Sequence, residues 1–393
     1  MKTGVTLFLQ NYTDWERHAR GDWETDPEIP DFQIYEEEIK LGSLVEPLGF
    51  DSMWTVEHHF TPYTMDTNTL QLMTFFAGRT ERIDFGTMVI VLPWHDPIRV
   101  AEEASMLDNL LQGRKLHLGF GRGAAKVEFD GFRVDMDTSR ERFLDSLAVV
   151  RKALSQKRFS HQGPHHTIPE LSLRPRPRSG AALLERMYMA WGSPGSVPVA
   201  AENGLLPLVI PQKQWETHVK EMEDYNRIRL ERGLQPGRPV VLLAVYVSED
   251  EAEANTIGLQ YITEYADSAR RHYQLDNPQH LATVKGYEYY NETARKWSEE
   301  HAAPQMAPLP PGANRSDAFM KVFTDSHVWG TPEQVIEQIR DRMTGVGGGE
   351  FVGVFKYGSM PYDKAEKNLR LFAEKVLPAL KRMETPAPRL PSR

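Results

Sequence analysis

Cysteine is absent from the 393 residues. That excludes disulfides, thiolate metal sites and cysteine nucleophiles. Cations are in deficit: 46 Lys and Arg stand against 55 Asp and Glu, for a net charge of −9. A general nucleic-acid binder is excluded on that ground, because neutralising phosphates takes clustered Lys and Arg. No apolar run approaches the ~18 residues of a spanning helix. Residues 1–10 carry one Lys and then read as a strand, not as a cleavable leader. A soluble, cytoplasmic protein with no membrane or nucleic-acid partner is expected. No internal repeat is evident, and no H-E-x-x-H spacing sets two histidines on one helical face.

What is present is an ordinary globular composition, 40% hydrophobic and 26% charged. Strand and helix signals alternate along the chain, as they do in a parallel sheet with crossover helices. Strands are expected at residues 5–9, 52–56, 83–92, 115–120, 187–191, 205–210, 240–247 and 351–355. The run 83–92 is almost continuously apolar, which suits a strand covered on both faces. Helices are expected at 34–48, 70–77, 139–154, 215–232 and 364–380, with a short one at 196–203. Asp96 before Pro97 marks another helix start, and Thr331 to Gln334 reads as a capping box. Eight strands, each followed by helical material, give a (β/α)8 TIM barrel, and a barrel of this kind accommodates the length. One domain over residues 1–383 and a disordered, Pro-rich tail at 384–393 are expected.

Three segments exceed the minimal barrel: 11–32, 158–186 and the insertion at about 258–326 between strands seven and eight. Loops this long are usually functional or mobile. The first carries Trp15 and Trp23, which either shape a substrate pocket or sit in a solvated loop.

In an α/β barrel the working residues lie at the C-terminal ends of the strands. Glu57, His58 and His59 end strand two. Neighbours on an extended strand point to opposite faces, so His58 and His59 do not readily hold one ion. A proton-handling histidine and a merely packed one both remain open. Strand four ends in Gly119, Phe120, Gly121, Arg122, Gly123 and Ala124. Its N–H groups and the Arg122 fork suit an anion, although glycines also serve plain turns. A dinucleotide fingerprint needs a helix and then a strand ending in a carboxylate; residues 126–137 read as a loop with no such strand after them. After strand five, Ser193 and Ser196 place two hydroxyls at a helix start, either a phosphate seat or a simple cap. Together the two turns would clamp one monophosphate.

The stretches 49–60, 86–93, 99–123 and 330–334 resemble the bacterial luciferase family of flavin monooxygenases. The resemblance implies a barrel that binds FMN, reduced and supplied by a separate flavin reductase. It implies oxygenation of a small organic substrate with O2 through a C4a-hydroperoxide, and a homodimer. His58 matches the histidine needed for that chemistry. Arg122 and Ala124 match positions at the FMN phosphate, with Gly123 in the same turn, and Ser193 and Ser196 match hydroxyl positions there. Met88 and Val89 match a non-prolyl cis peptide beneath the flavin ring. Trp94, Phe8 and the insertion after strand seven are expected to cover the site. Gly192 stands where the luciferase catalytic subunit has a phosphate-side carboxylate, so the resemblance extends to flavin binding rather than to light emission. The alternatives are an F420-dependent oxidoreductase of the same superfamily and a metal-dependent barrel hydrolase. No metal site is expected.

Overall fold

Parallel strands that are covered on both faces must be apolar along their whole length, and the chain supplies such segments repeatedly. The computed structural model describes residues 1–274, 281, 283–289 and 315–391. Its barrel strands are β1 (Lys2–Leu7), β2 (Ser52–Thr55), β3 (Asp84–Thr87, resuming as Ile90–Val91), β4 (Leu116–Gly121), β5 (Met187–Ala190), β6 (Leu206–Val209), β7 (Val240–Val247) and β8 (Glu350–Val354). Each pairs in parallel with the next, and β8 returns to β1 through Lys2↔Glu350 and Thr6↔Val354. The expected (β/α)8 barrel is the observed one.

Two strand boundaries differ instructively. β1 stops at Leu7, short of the expected residue 9, because Leu9 takes φ 45° and leaves the extended region. The single strand expected at 83–92 is interrupted where the Met88–Val89 peptide is cis.

The amino-terminal end of the barrel is plugged. Trp54 is fully buried there, and its indole N–H reaches Ser52 Oγ at 2.9 Å and Glu350 Oε1 at 3.2 Å. A Cβ on Gly86 would meet that ring at 2.3 Å, so only glycine lets the indole lie flat against β3. The open end is therefore the carboxy-terminal one.

The helices follow their caps. α1 spans Asp31–Val45 and α2 spans Thr69–Ala77. α3 (Pro97–Leu110) starts where expected, with Asp96 accepting from the N–H groups of Ile98 and Arg99. Residues 126–137, expected as a loop, instead hold α4 (Lys126–Phe132) and a short 3-10 turn. The sequence hides α4 because its buried face carries Glu128, a residue ordinarily counted as solvent-facing. α5 (Ser139–Ser155) follows, then an antiparallel hairpin of Phe159–Gln162 with Thr167–Leu171 inside the second long segment.

α6 (Val197–Glu202) and α7 (Trp215–Glu231) flank β6. The insertion after β7 contributes α8 (Leu259–Tyr273), and α9 (Pro332–Val346) opens with the expected capping box. The tail, expected to be disordered, carries no helix or strand over residues 384–391. Asn226 donates to Arg389 O at 2.7 Å, Arg389 pairs with Glu223 at 2.6 Å, and Arg238 donates to Pro386 O. Among the described residues no helix is long and apolar enough to cross a membrane.

Asp96→Ala removes the acceptor for two orphan N–H groups of α3 and should lower unfolding free energy by about 1 kcal/mol in urea titrations.

Candidate active site

The open end of the barrel carries a half-open cleft, at the mouth where small-molecule sites of such barrels lie. His58, Met88, Val89, Arg122, Gly123, Ala124, Ser193 and Ser196 all line it. These positions lie on four different strand ends, so it is closure of the barrel that brings them together.

One end of the cleft is cationic. Arg122 lies almost buried with its guanidinium 4.0 Å over the Tyr287 ring, and Nη2 donates to Gly286 O at 2.9 Å. Its Nη1 is buried and makes no hydrogen bond among the described residues. Gly123 has φ 83°, and a Cβ there would meet Phe129 at 2.8 Å, so the turn requires glycine on two counts. Across the cleft, Ser193 Oγ and Ser196 Oγ stand 3.2 Å apart. Arg140, which the sequence presents only as part of an amphipathic helix, donates to Gly195 O at 3.1 Å. Burial, and then the charge of Arg122, pushes the Arg140 guanidinium down. Two neighbouring guanidiniums, one with a buried unmatched N–H, fit a doubly charged anion, and a flavin phosphate fits that requirement.

The other end is a histidine–carboxylate cluster. Glu57, His58 and His59 part company as alternation demands. His59 Nε2 meets Glu57 Oε1 at 3.0 Å and its ring packs edge-on to Phe132. Glu57 Oε1 is also 2.6 Å from His95 Nε2, while its Oε2 accepts from Val91 N–H. Burial alone would raise the Glu57 carboxyl, but His95, His59 and the Val91 N–H outweigh it and hold it low. His58 turns the other way. Its Nδ1 lies 3.1 Å from Glu128 Oε1 and 3.1 Å from His272 Nε2, and its Nε2 lies 3.1 Å from the Tyr273 hydroxyl. Glu128 also accepts from His59 N–H at 2.8 Å. Burial opposes ionisation of Glu128, yet the two imidazoles bring its carboxyl down to about 2. His272 is fully buried, and burial pushes its ring below the usual histidine range.

Sequence reasoning missed Glu128, His272 and Tyr273. The first hid in a presumed loop. The other two end α8 in an insertion with no strand signal beside it. Trp94 lines the cleft as expected, but Phe8 does not. It packs against Tyr63 and Tyr265 in the barrel core, because β1 ends before it. Trp15 and Trp23 do not line the cleft either; Trp15 is buried against Ser268, and Trp23 is exposed. His58 Nδ1, Glu128 Oε1 and His272 Nε2 are 3.1–3.4 Å apart. Tetrahedral zinc would also space its ligands by about 3.3 Å. At this spacing the second nitrogen of each ring meets a hydroxyl, Tyr273 or Thr61.

A closed barrel with an anion cradle and a buried acid–imidazole cluster at its carboxy-terminal mouth defines a (β/α)8-barrel enzyme. More particularly, the chain belongs to the luciferase-like monooxygenase family, whose sequence model matches residues 15–348. It is 27% identical to the alkanal monooxygenase alpha chain of Photobacterium leiognathi over 354 residues, covering 89% of this chain and 94% of that one. Monooxygenase RslO1 from Streptomyces bottropensis superposes with a TM-score of 0.71 at 25% identity, covering 97% and 100% of the two chains. The oxygenating constituent of 3,6-diketocamphane monooxygenase from Pseudomonas putida, solved with FMN, gives 0.70 at 20% identity over the full length of both. The fold is also that of a coenzyme F420-dependent reductase from Methanopyrus kandleri, with a TM-score of 0.61, 17% identity and coverage of 96% and 99%.

The Asp66 backbone carbonyl accepts from His58 N–H, while its buried carboxyl leaves Oδ2 without a partner among the described residues. Burial pushes that carboxyl up to about 8. The native state therefore keeps a proton that the unfolded chain releases near pH ~4. Stability is greatest below that value and falls as pH rises towards about 8. In thermal melts from pH 5 to 9, Asp66→Asn should lose this decline and melt above the parent protein at pH 9.

Proposed function

We propose that this chain is the oxygenase component of a two-component flavin-dependent monooxygenase. Reduced FMN, supplied by a separate flavin reductase, is its cofactor, and O2 and a small organic substrate are its reactants. The observation that carries the reading is one cleft lined by the unmatched Arg122 N–H, the His58 cluster, Met88 and Val89. Membership of the monooxygenase family supports it. A homodimer in the cytoplasm, with no metal, belongs to the same proposal.

Arg122, Arg140, Ser193 and Ser196 would hold the phosphate, with the backbone of Gly123 and Ala124 alongside. Met88 and Val89 would floor the ring system. When bound and reduced, the flavin supplies the activation of O2. The chain's own task is to exclude water and to manage a proton. Trp94, Val91, Met189, Trp191 and Ile210 give the cleft apolar walls. His58 does the proton work. With Nδ1–H donated to the Glu128 carboxylate, the Nε2 lone pair is the one that takes a proton.

The test is stopped-flow mixing of oxygen with the reduced-FMN complex, followed by screening for compounds that speed its reoxidation. Oxygen uptake with product formation is expected. Failure to bind FMN, or turnover only with reduced F420 and without oxygen uptake, would overturn the reading. Arg122→Ala should weaken FMN binding by about 2 kcal/mol, roughly 30-fold, as loss of a charged hydrogen bond does. His58→Asn should bind FMN normally and divert oxygen to H2O2 instead of product; unchanged coupling would remove His58 from its role.

A further inference from the structure

A cleft that must stay dry still has to exchange a proton with water, and the structure holds a route. His272 Nε2 is 3.1 Å from His58 Nδ1, and His272 Nδ1 is 2.8 Å from Thr61 Oγ1. Thr61 and His272 line a second cavity, walled also by Trp15, His18, Arg270 and Arg271. The two cavities share no lining residue. His58 and Glu128 face the first, His272 and Thr61 the second, and His58 and Thr61 also border a third hollow beside Met65, so the residues in hydrogen-bond contact connect the cleft to the space behind it.

We propose that His58, His272 and Thr61 form a proton relay, steadied by Glu128, that connects the cleft to this second cavity without water crossing the cleft. The inference rests on the reading of His58 given above. The transfer balances as one proton in and one out, with no electrons moved. His58 Nε2 takes a proton from the cleft. The proton on Nδ1 passes to the lone pair of His272 Nε2, the proton on His272 Nδ1 passes to Thr61 Oγ, and the hydroxyl's own proton leaves to solvent. The Glu128 carboxylate, 3.1 Å from one ring and 3.4 Å from the other, stabilises positive charge on either.

The groups around His272 favour this. Tyr63 stacks on its ring at 4.8 Å, Tyr273 lies edge-on, and His58, His59 and Glu128 supply the nearby ionisable groups. Burial, with His58 and His59 against Glu128, keeps His272 neutral, the form that accepts a proton on one nitrogen while releasing one from the other.

Thr61→Val removes only the hydroxyl, at a half-buried loop position, and Thr61→Ser restores it. His272→Asn cuts the chain at its centre. Two measurements are needed. Nitrogen-15 NMR of the histidine rings in cofactor-free protein reads solvent exchange at His58 Nδ1. Turnover in H2O and D2O reads the coupled step. Exchange is expected to slow at least tenfold in Thr61→Val and His272→Asn. The rate of product formation should fall by a similar factor, with a larger solvent isotope effect, while FMN affinity and substrate KM hold and Thr61→Ser recovers both. Parent-like exchange in both variants would overturn the relay, because the proton would then reach His58 from the cleft or from the hollow beside Met65. Loss of FMN affinity together with rate, not rescued by serine, would make these residues structural supports and overturn it equally. If the protein binds no flavin, the functional reading fails, and the exchange measurement still decides the relay.

Discussion

A carboxylate buried at the mouth of the barrel organises the rest of the site. Glu128 is 1% exposed, and an ionised carboxylate so placed is expensive unless donors surround it. The chain surrounds it with the His59 N–H and the His58 ring, which donate to it, and sets the His272 ring 3.4 Å away. These groups come from two distant parts of the sequence. The first two fix the loop after β2, and the third fixes the end of α8. Satisfying one charge therefore pins the insertion to the barrel and sets which nitrogen of His58 faces the cleft.

The same demand explains what could and could not be read from the sequence. Barrel strands announce themselves through apolar runs, and β7 was legible to the residue because every position along it is buried. Caps at Asp96 and Thr331 were legible because they act through local hydrogen bonds. The glycine turn and the serine turn were legible because strand ends select them in this fold. Glu128 was not. A buried charge inside a short helix looks like a polar break in a loop until its partners are known. His272 and Tyr273 were invisible for a related reason: their partner His58 lies more than two hundred residues earlier in the chain. Arg140 needed the fold too, because only the packing of α5 against the serine turn brings it beside Arg122.

Polar contacts that cross the chain in this way occur at the floor too, where Glu350 accepts from Ser52 and Trp54, but there they are closed inside a packed plug. Trp54, Gly86 and Glu350 plug the amino-terminal end and leave no room for a ligand there. The division is physical. A plugged end tolerates little change in volume, while an open end presents groups whose hydrogen-bonding capacity is unspent. Arg122 Nη1 is such a group.

The insertion after β7 touches both ends of the cleft. His272 and Tyr273 complete the surroundings of His58. Farther along, Gly286 accepts from Arg122, and the Tyr287 hydroxyl donates to Gly123 O at 2.7 Å. One segment thus meets the cation that would hold a phosphate and the imidazole that would move a proton. Because Gly286 takes Nη2 and leaves Nη1 unspent, the insertion that carries His272 also decides which guanidinium N–H an anion would meet.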